Sequence, residues 1–243
     1  MLEANVQRVF SSLTDEHQVL DVGGWASPFN RAQWVLDSQP WETRGYYRTF
    51  GGAPSQGGER EWFSRESWVQ RDICDHRLWP FREKQFDFVI CSHTLEDIRD
   101  PLWVCAEMIR VARRGYIEVP SRAWESSLGA EHPRMAGLSH HRWLVDIEGS
   151  RVRFLQKYHL LHADWRLSLP ERYLRSLTPE RSVQWLWWED SFEYEEVHLY
   201  GVESVEKELL DFAARTYPRA RWRYRLADAG RRVSRLLRRV TRH

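Results

Sequence analysis

Three carboxylates that close successive apolar runs are the residues of this chain best placed to do chemistry. Asp21 lies in Val19-Leu20-Asp21-Val22, just ahead of Gly23-Gly24, and Asp37 closes Trp34-Val35-Leu36-Asp37. Asp72 ends a third run and is followed by Ile73-Cys74. Two more short runs follow, Phe86 to His93 and Gly115 to Pro120. Short apolar runs bounded by turn residues are the mark of buried parallel strands. In an open α/β sheet, ligands bind outside the carboxyl ends of such strands. Glycines after the first strand let the backbone approach a ligand closely. A carboxylate ending the second strand can accept hydrogen bonds from both hydroxyls of a ribose. A further Asp beside an apolar residue, here Asp72 and Ile73, can hold an adenine amino group and one ring face. Solvated strand-end acids and ordinary turn glycines would account for any one of these residues. Three acids in equivalent places point to an adenosine-containing ligand.

The elements that must position them can be read from periodicity and turn chemistry. Val6, Val9, Phe10 and Leu13 fall at helical spacing and predict an amphipathic lead-in helix over 3–13. Residues 51–60 are a loop by composition. Asp100-Pro101 is a helix start, with Leu102, Cys105, Ala106 and Ile109 as its buried stripe and Gly115 just past its end. The fold class expected is α/β, a Rossmann-like, mostly parallel, doubly wound sheet with a C-terminal β-hairpin and helical elaboration. The hairpin is expected from Trp143–Asp146 and Val152–Tyr158 around a Glu148-Gly149-Ser150 turn. Tyr194–Tyr200 is a further strand candidate, residues 171–193 show no clear pattern, and 204–214 and 226–240 read as helices. The organisation expected is a ligand-binding core over 1–122, a substrate-side elaboration over 123–214 and a basic amphipathic tail over 215–243.

The chain from about 17 to 122 resembles the class I S-adenosylmethionine-dependent methyltransferases, in particular the branch called type 11. Val19-Leu20-Asp21-Val22-Gly23-Gly24 and Trp34-Val35-Leu36-Asp37 carry part of the likeness. The more specific part is Asp72-Ile73-Cys74-Asp75, then Trp79-Pro80-Phe81, then Phe86 to His93. Leu95-Glu96-Asp97-Ile98-Arg99-Asp100-Pro101 and Glu107 to Val111 complete it. The resemblance implies S-adenosyl-L-methionine as cofactor. It places Asp21, Gly23 and Gly24 by the methionine part, Asp37 on the ribose, Asp72 and Ile73 on the adenine, and Ser92 and His93 along the pocket floor. Two departures stand out. Trp25 and Ser27 occupy the later glycine positions of the family's turn, and Asp37 follows Gly23 by only 14 residues with Pro28 between. A parallel crossover normally needs a dozen or more residues. The shortened link removes the helix N-terminus that a pyrophosphate would need, which disfavours an NAD-dependent oxidoreductase.

Outside that stretch, His132 and His140-His141-Arg142-Trp143 form a histidine-rich segment. His141 or His140 is the candidate general base or substrate contact. Loop histidines with structural bonds are the alternative, and the spacing supports no metal site. The 14 tryptophans, including Trp185, Trp187 and Trp188, could stack on a sugar or base, or simply pack a core. The overall charge of +1 hides an asymmetry: residues 215–243 carry eleven arginines and one acid, so the rest is net acidic. Leu226, Ala229, Val233, Leu236, Leu237 and Val240 form one apolar stripe among arginines, which suggests an anionic membrane surface met by residues 226–242. The acidic body argues against nucleic acid as a broad partner. Three cysteines without metal or redox spacing, no secretory pattern and no membrane-length apolar run lead to an expectation of a cytoplasmic protein, soluble or peripheral at the membrane. The function expected is methyl transfer to an oxygen or nitrogen of a small molecule or glycan intermediate. The alternative is a non-catalytic Rossmann-like binding protein that docks to membrane or RNA through its tail.

Overall fold

The computed structural model describes residues 1–52, 55–58 and 60–218. The basic stripe expected over 226–242 therefore lies outside the described residues. The described chain divides into two compact units. The first holds Met1–Ser121, His141–Gln156 and Pro179–Val197, and the second Arg122–His140, Lys157–Thr178 and, of the described residues, 198–218.

The first unit is built on a six-stranded sheet. Helix α1 (Glu3–Ser12) precedes strands β1 (Val19–Val22), β2 (Trp34–Asp37), β3 (Trp68–Gln70) and β4 (Phe88–Ser92). Helix α2 (Pro101–Val111) leads to β5 (Arg114–Pro120), and β6 (Trp143–Glu148), β7 (Arg151–Gln156), β8 (Val183–Glu189) and β9 (Glu193–Val197) follow. The order across the main sheet is β3-β2-β1-β4-β5-β8. Its first five strands are parallel, and β8 runs antiparallel to β5. The chain leaves β1 toward β2 on one side and returns through β4 on the other, so the switch point lies between β1 and β4. The expected hairpin is present as β6 and β7, and β9 adds to β7 as a third strand.

Burial explains the all-apolar strands. Leu20, Val22, Leu36, Val89, Cys91, Ile117 and Val119 pack one face of the sheet against Val104, Cys105, Met108 and Val111 of α2. That helix starts as expected, with the Asp100 carboxylate accepting from the Trp103 amide at 3.0 Å and Pro101 at its first turn. The other face buries Val19, Phe88, Ile90 and Tyr116 under Val6 and Val9 of α1, together with Phe29. No helix is present between β1 and β2. Over β2 and β3 the covering is aromatic instead: Val35, Phe63 and Trp68 are buried with Trp25 and Trp41 against them. Large flat side chains from irregular loops can cover apolar area that a crossover helix would otherwise cover.

Residues 171–193 do hold order: β8 alternates Trp185 and Trp187 toward the α1 face with Leu186 and Trp188 toward the α2 face. Both of its faces are covered, so no polar alternation marks it. Strands β6–β9 belong to the same compact unit as β1–β5. Gly115 falls past the end of α2, as expected. It lies inside β5, where an added Cβ would sit 2.6 Å from the Val89 carbonyl and 2.8 Å from the Trp188 ring.

The second unit contains one-turn helices at Arg122–Glu125, Leu160–Ala163 and Glu171–Leu174 and the longer helix Val202–Thr216. Leu169, Tyr173 and Ala213 centre its small core. Lys157 and Glu125 form an ion pair inside it with side chains 1% and 2% exposed. The same Glu125 accepts from the Leu138 amide at 3.1 Å while Lys157 donates to the Leu138 carbonyl at 2.6 Å. Such a pair survives burial because each charge also has further hydrogen bonds.

Gly115→Ala should destabilise the core by about 1–3 kcal/mol, since the added methyl overpacks a strand interior. Urea unfolding checks this, and an unchanged midpoint would contradict the close approach of β4, β5 and β8.

Candidate functional site

The carboxyl ends of β1, β2 and β4 bring most of the anticipated residues to one edge of the sheet. Gly23 turns the chain with φ +75°, a conformation that favours glycine. Its amide donates to the Leu36 carbonyl at 2.9 Å, and a Cβ there would lie 2.3 Å from the Thr94 side chain. A Cβ on Gly24 would lie 2.3 Å from an oxygen of Asp21. The turn is therefore tight for two separate reasons, one backbone and one steric.

Asp21 is buried, and its Oδ2 accepts from the Phe29 amide at 2.7 Å. Burial raises its pKa to about 7, with the Phe29 hydrogen bond opposing and nearby Asp37 adding to the rise. Asp37 accepts from the Trp25 amide at 3.0 Å and the Gln39 amide at 2.8 Å, one on each oxygen. Its pKa is also raised by burial, against the pull of these amides. Each carboxylate oxygen can accept a second bond, so Asp37 keeps capacity for a diol. Trp25, at the second glycine position of the family's turn, stacks on Tyr46 with ring centroids 4.9 Å apart and donates its indole N–H to Thr43 at 3.0 Å.

Asp72 is held differently. Arg99 reaches its Oδ2 at 2.5 Å, and the Cys74 amide donates to Oδ1 at 2.9 Å. Desolvation is the largest single influence on Asp72 and favours its proton, but the Arg99 and Cys74 hydrogen bonds together outweigh it and hold its pKa below the ordinary value. Ile73 beside it is buried, and its carbonyl accepts from the Trp79 indole at 3.1 Å. Ser92 ends β4 with its hydroxyl buried and no hydrogen-bond partner among the described residues.

His93 follows in a left-handed conformation, φ +53°. Non-glycine residues seldom adopt it, and they cluster at functional sites when they do. The imidazole lies between two carboxylates: Nε2 is 3.3 Å from Glu118, and Nδ1 is 3.6 Å from Glu96. The ring is 42% exposed, while the two carboxylates are at most 2% exposed. Burial pulls the His93 pKa down, but Glu118 and Glu96 prevail and lift it to about 9. Desolvation likewise opposes the charge on Glu118, yet His93, Tyr116 and the Leu2 amide bring it to about 2. Asn5 donates to the same carboxylate at 3.2 Å, so Glu118 also ties α1 to β5. The oxygens of Glu96 have no hydrogen-bond donor among the described residues.

Glu96, Glu118 and Thr94 are site residues that the sequence reading did not single out. The available signal was an acid between aliphatics, Ile117-Glu118-Val119, in a strand buried on both faces. The two adjacent histidines separate in environment: His141 is buried in the first unit, and His140 is exposed in the second. Residues 142 and 143 enter β6 with both amides on the Glu96 carbonyl, at 2.8 and 3.1 Å, which ties this segment to the loop after β4. His132 is exposed and accepts from the Arg134 amide. Trp187 and Trp188 are packing residues of the sheet, with Trp187 against Tyr116 at 4.7 Å. Among the described residues no group of three or more His, Cys, Asp or Glu is arranged to hold a metal ion.

A family described as "Methyltransferase domain" matches residues 53–117, from the loop ahead of β3 to the middle of β5. Over that stretch the chain is similar to a methyltransferase domain. Among solved structures, an S-adenosylmethionine-dependent methyltransferase from Aquifex aeolicus is 18% identical, with 49% of this chain and 65% of that chain covered and a TM-score of 0.32. One from Mesorhizobium loti is 13% identical, with 63% of this chain and 64% of that chain covered and a TM-score of 0.34. The chain thus spans less than two thirds of the length of either. No curated protein matches it. The matched segment contains Asp72, Ile73, Ser92, His93 and Glu96, while the glycine turn lies ahead of it.

The His93 charge contributes to stability with a definite sign. Its folded pKa of about 9 exceeds the ordinary 6.5, so the contribution is complete below about 6.5 and is lost as pH rises through about 9. The urea midpoint should therefore show a decline across that window that is absent in His93→Asn. Parallel profiles for the two proteins would remove the Glu96–His93–Glu118 arrangement as its cause.

Proposed function

We propose that this protein is a methyltransferase that uses S-adenosyl-L-methionine to methylate an oxygen or nitrogen of a small molecule or glycan. The observation that carries the reading is the Asp21-Gly23-Gly24 turn beside Asp37 at the switch point, joined to the matched segment through β4. The cofactor suits the residues present. Asp37 retains acceptor capacity for two ribose hydroxyls, and Ser92 offers a buried hydroxyl that lacks a partner among the described residues. Asp72 and Ile73 would border the adenine, with Asp72 working from a position fixed by Arg99. Asp21, Gly23 and Gly24 would border the methionine part. When bound, the cofactor supplies an electrophilic methyl group on a sulfonium.

This chain's own residues then have modest tasks. In-line displacement is accelerated largely by holding two partners in register, which rigid strand ends do well. The short β1–β2 link provides no helix N-terminus for a pyrophosphate. A sulfonium cofactor has no such group, so this feature favours it over a dinucleotide. His141, buried in the first unit and followed by residues bonded to the Glu96 carbonyl, is the segment's better candidate for acceptor contact or proton removal; His140 is retained as the exposed alternative.

Calorimetric titration with S-adenosylhomocysteine, with NAD in parallel, tests the reading. Micromolar binding of the first alone supports it, and binding of neither by folded protein overturns it. Asp37→Ala should weaken S-adenosylhomocysteine binding by about 1–3 kcal/mol if the carboxylate holds ribose hydroxyls. Unchanged affinity would remove Asp37 from the site.

A further inference from the structure

We propose that His93 is the charge-responsive residue of the cofactor site: it is protonated between Glu96 and Glu118 when the site is empty and releases its proton to solvent when a sulfonium binds. The inference rests on the methyltransferase reading. Three features of the structure lead to it, and each is geometric.

The first is location. Thr94, the next residue, lies under the glycine turn, with its hydroxyl 3.4 Å from the carbonyls of both Val22 and Gly23. His93 is thereby attached to the turn that would border the methionine part of the cofactor. The second is access. Among the three charged groups, only the imidazole is open to a ligand, since both carboxylates are buried. The third is incomplete partnering. Nε2 is close to Glu118, but the 3.6 Å from Nδ1 to Glu96 is too long for a hydrogen bond. Glu96 thus attracts the imidazolium without closing on it to full hydrogen-bond distance.

Other charged groups in the neighbourhood define what else could respond. Asp21 stands at the end of the adjacent strand β1, Tyr116 shares Glu118, and the Met1 amino group is 3.5 Å from Glu118. A positive charge entering this site disfavours a second positive charge beside it. The methyl donor carries a sulfonium, and its demethylated product carries a neutral thioether in the same place. The two ligands differ by one positive charge and one methyl group, so a group that senses that charge must distinguish them. Asp21 would also lose a proton to a cation, but with a pKa of about 7 it is already ionised at pH 8.5. The imidazolium of His93, near 9, is then the group still able to respond.

The test is calorimetric titration of the full chain at pH 8.5 in two buffers of different ionisation enthalpy, using S-adenosylmethionine and S-adenosylhomocysteine. The first should release a substantial fraction of one proton and the second little. Between pH 7.5 and 9.5 the affinity ratio of donor to product should rise by up to about tenfold per pH unit. His93→Asn, a residue that tolerates the left-handed backbone, should abolish both effects while still binding the product. Glu96→Gln should lower the release at pH 8.5 by weakening the field on the empty-site proton, and it leaves the Glu118 network with α1 intact. Equal release by both ligands, or release that persists in His93→Asn, overturns the inference while the cofactor reading stands. Binding of neither ligand by folded wild-type protein overturns both.

Discussion

The carboxylate of Asp21, buried at the end of β1 and bonded to the Phe29 amide, is the constraint on which this end of the sheet depends. It bridges the eight residues that follow and lets the chain turn back to β2 without a crossover helix. Gly24 has to be a glycine because that carboxylate occupies the space of its Cβ, and Gly23 because Thr94 does the same from the loop after β4. Leaving out the helix has a further consequence for packing. The surface it would have covered is filled by Phe29, Phe63, Trp41 and Trp68, and Trp25 is drawn toward them with its indole on Thr43. The irregular stretch between β2 and β3 is therefore structural as well as a border of the site.

Charge at the same edge is arranged by burial as much as by pairing. Asp21 and Asp37 are buried acids with no cationic partner bonded to them, and desolvation outweighs their hydrogen bonds, so their proton affinities rise. Asp72 is more open and has a guanidinium, and its proton affinity falls. Glu118 is the most buried of the acids, yet it is the most firmly ionised, because Tyr116, Asn5, the Leu2 amide and His93 all donate to it. A buried carboxylate with many donors and one with few are different reagents, although the sequence writes both with one letter. The same Glu118 network fastens α1 to β5, so one group supports both the sheet's covering helix and the histidine at the end of β4.

Much of this was legible in the residues. The short apolar runs located β1, β2, β4 and β5, the Asp100-Pro101 pair located α2, and the Glu148-Gly149-Ser150 turn located the β6–β7 hairpin. These are local signals, set by propensity and by the two-residue or 3.6-residue repeat. Strand β8 escaped because Trp185 to Trp188 are covered on both faces, which erases the alternation that marks a half-buried strand. That β6–β9 group with β1–β5 was not legible for a related reason, since membership of a compact unit is decided by packing partners far away in sequence.

The sequence by itself determined the parallel α/β core, the glycine turn with its missing helix and the acids at the strand ends, because each is encoded within a few neighbouring residues. Only the tertiary structure decided that Glu118, 25 residues from His93 in the chain, would face its ring, that Arg99 would hold Asp72, and that His141 would be buried while His140 would not. Those outcomes depend on which elements pack together and how much water they exclude. The strength of a charge, and hence its chemistry, depends on that environment rather than on the residue type alone.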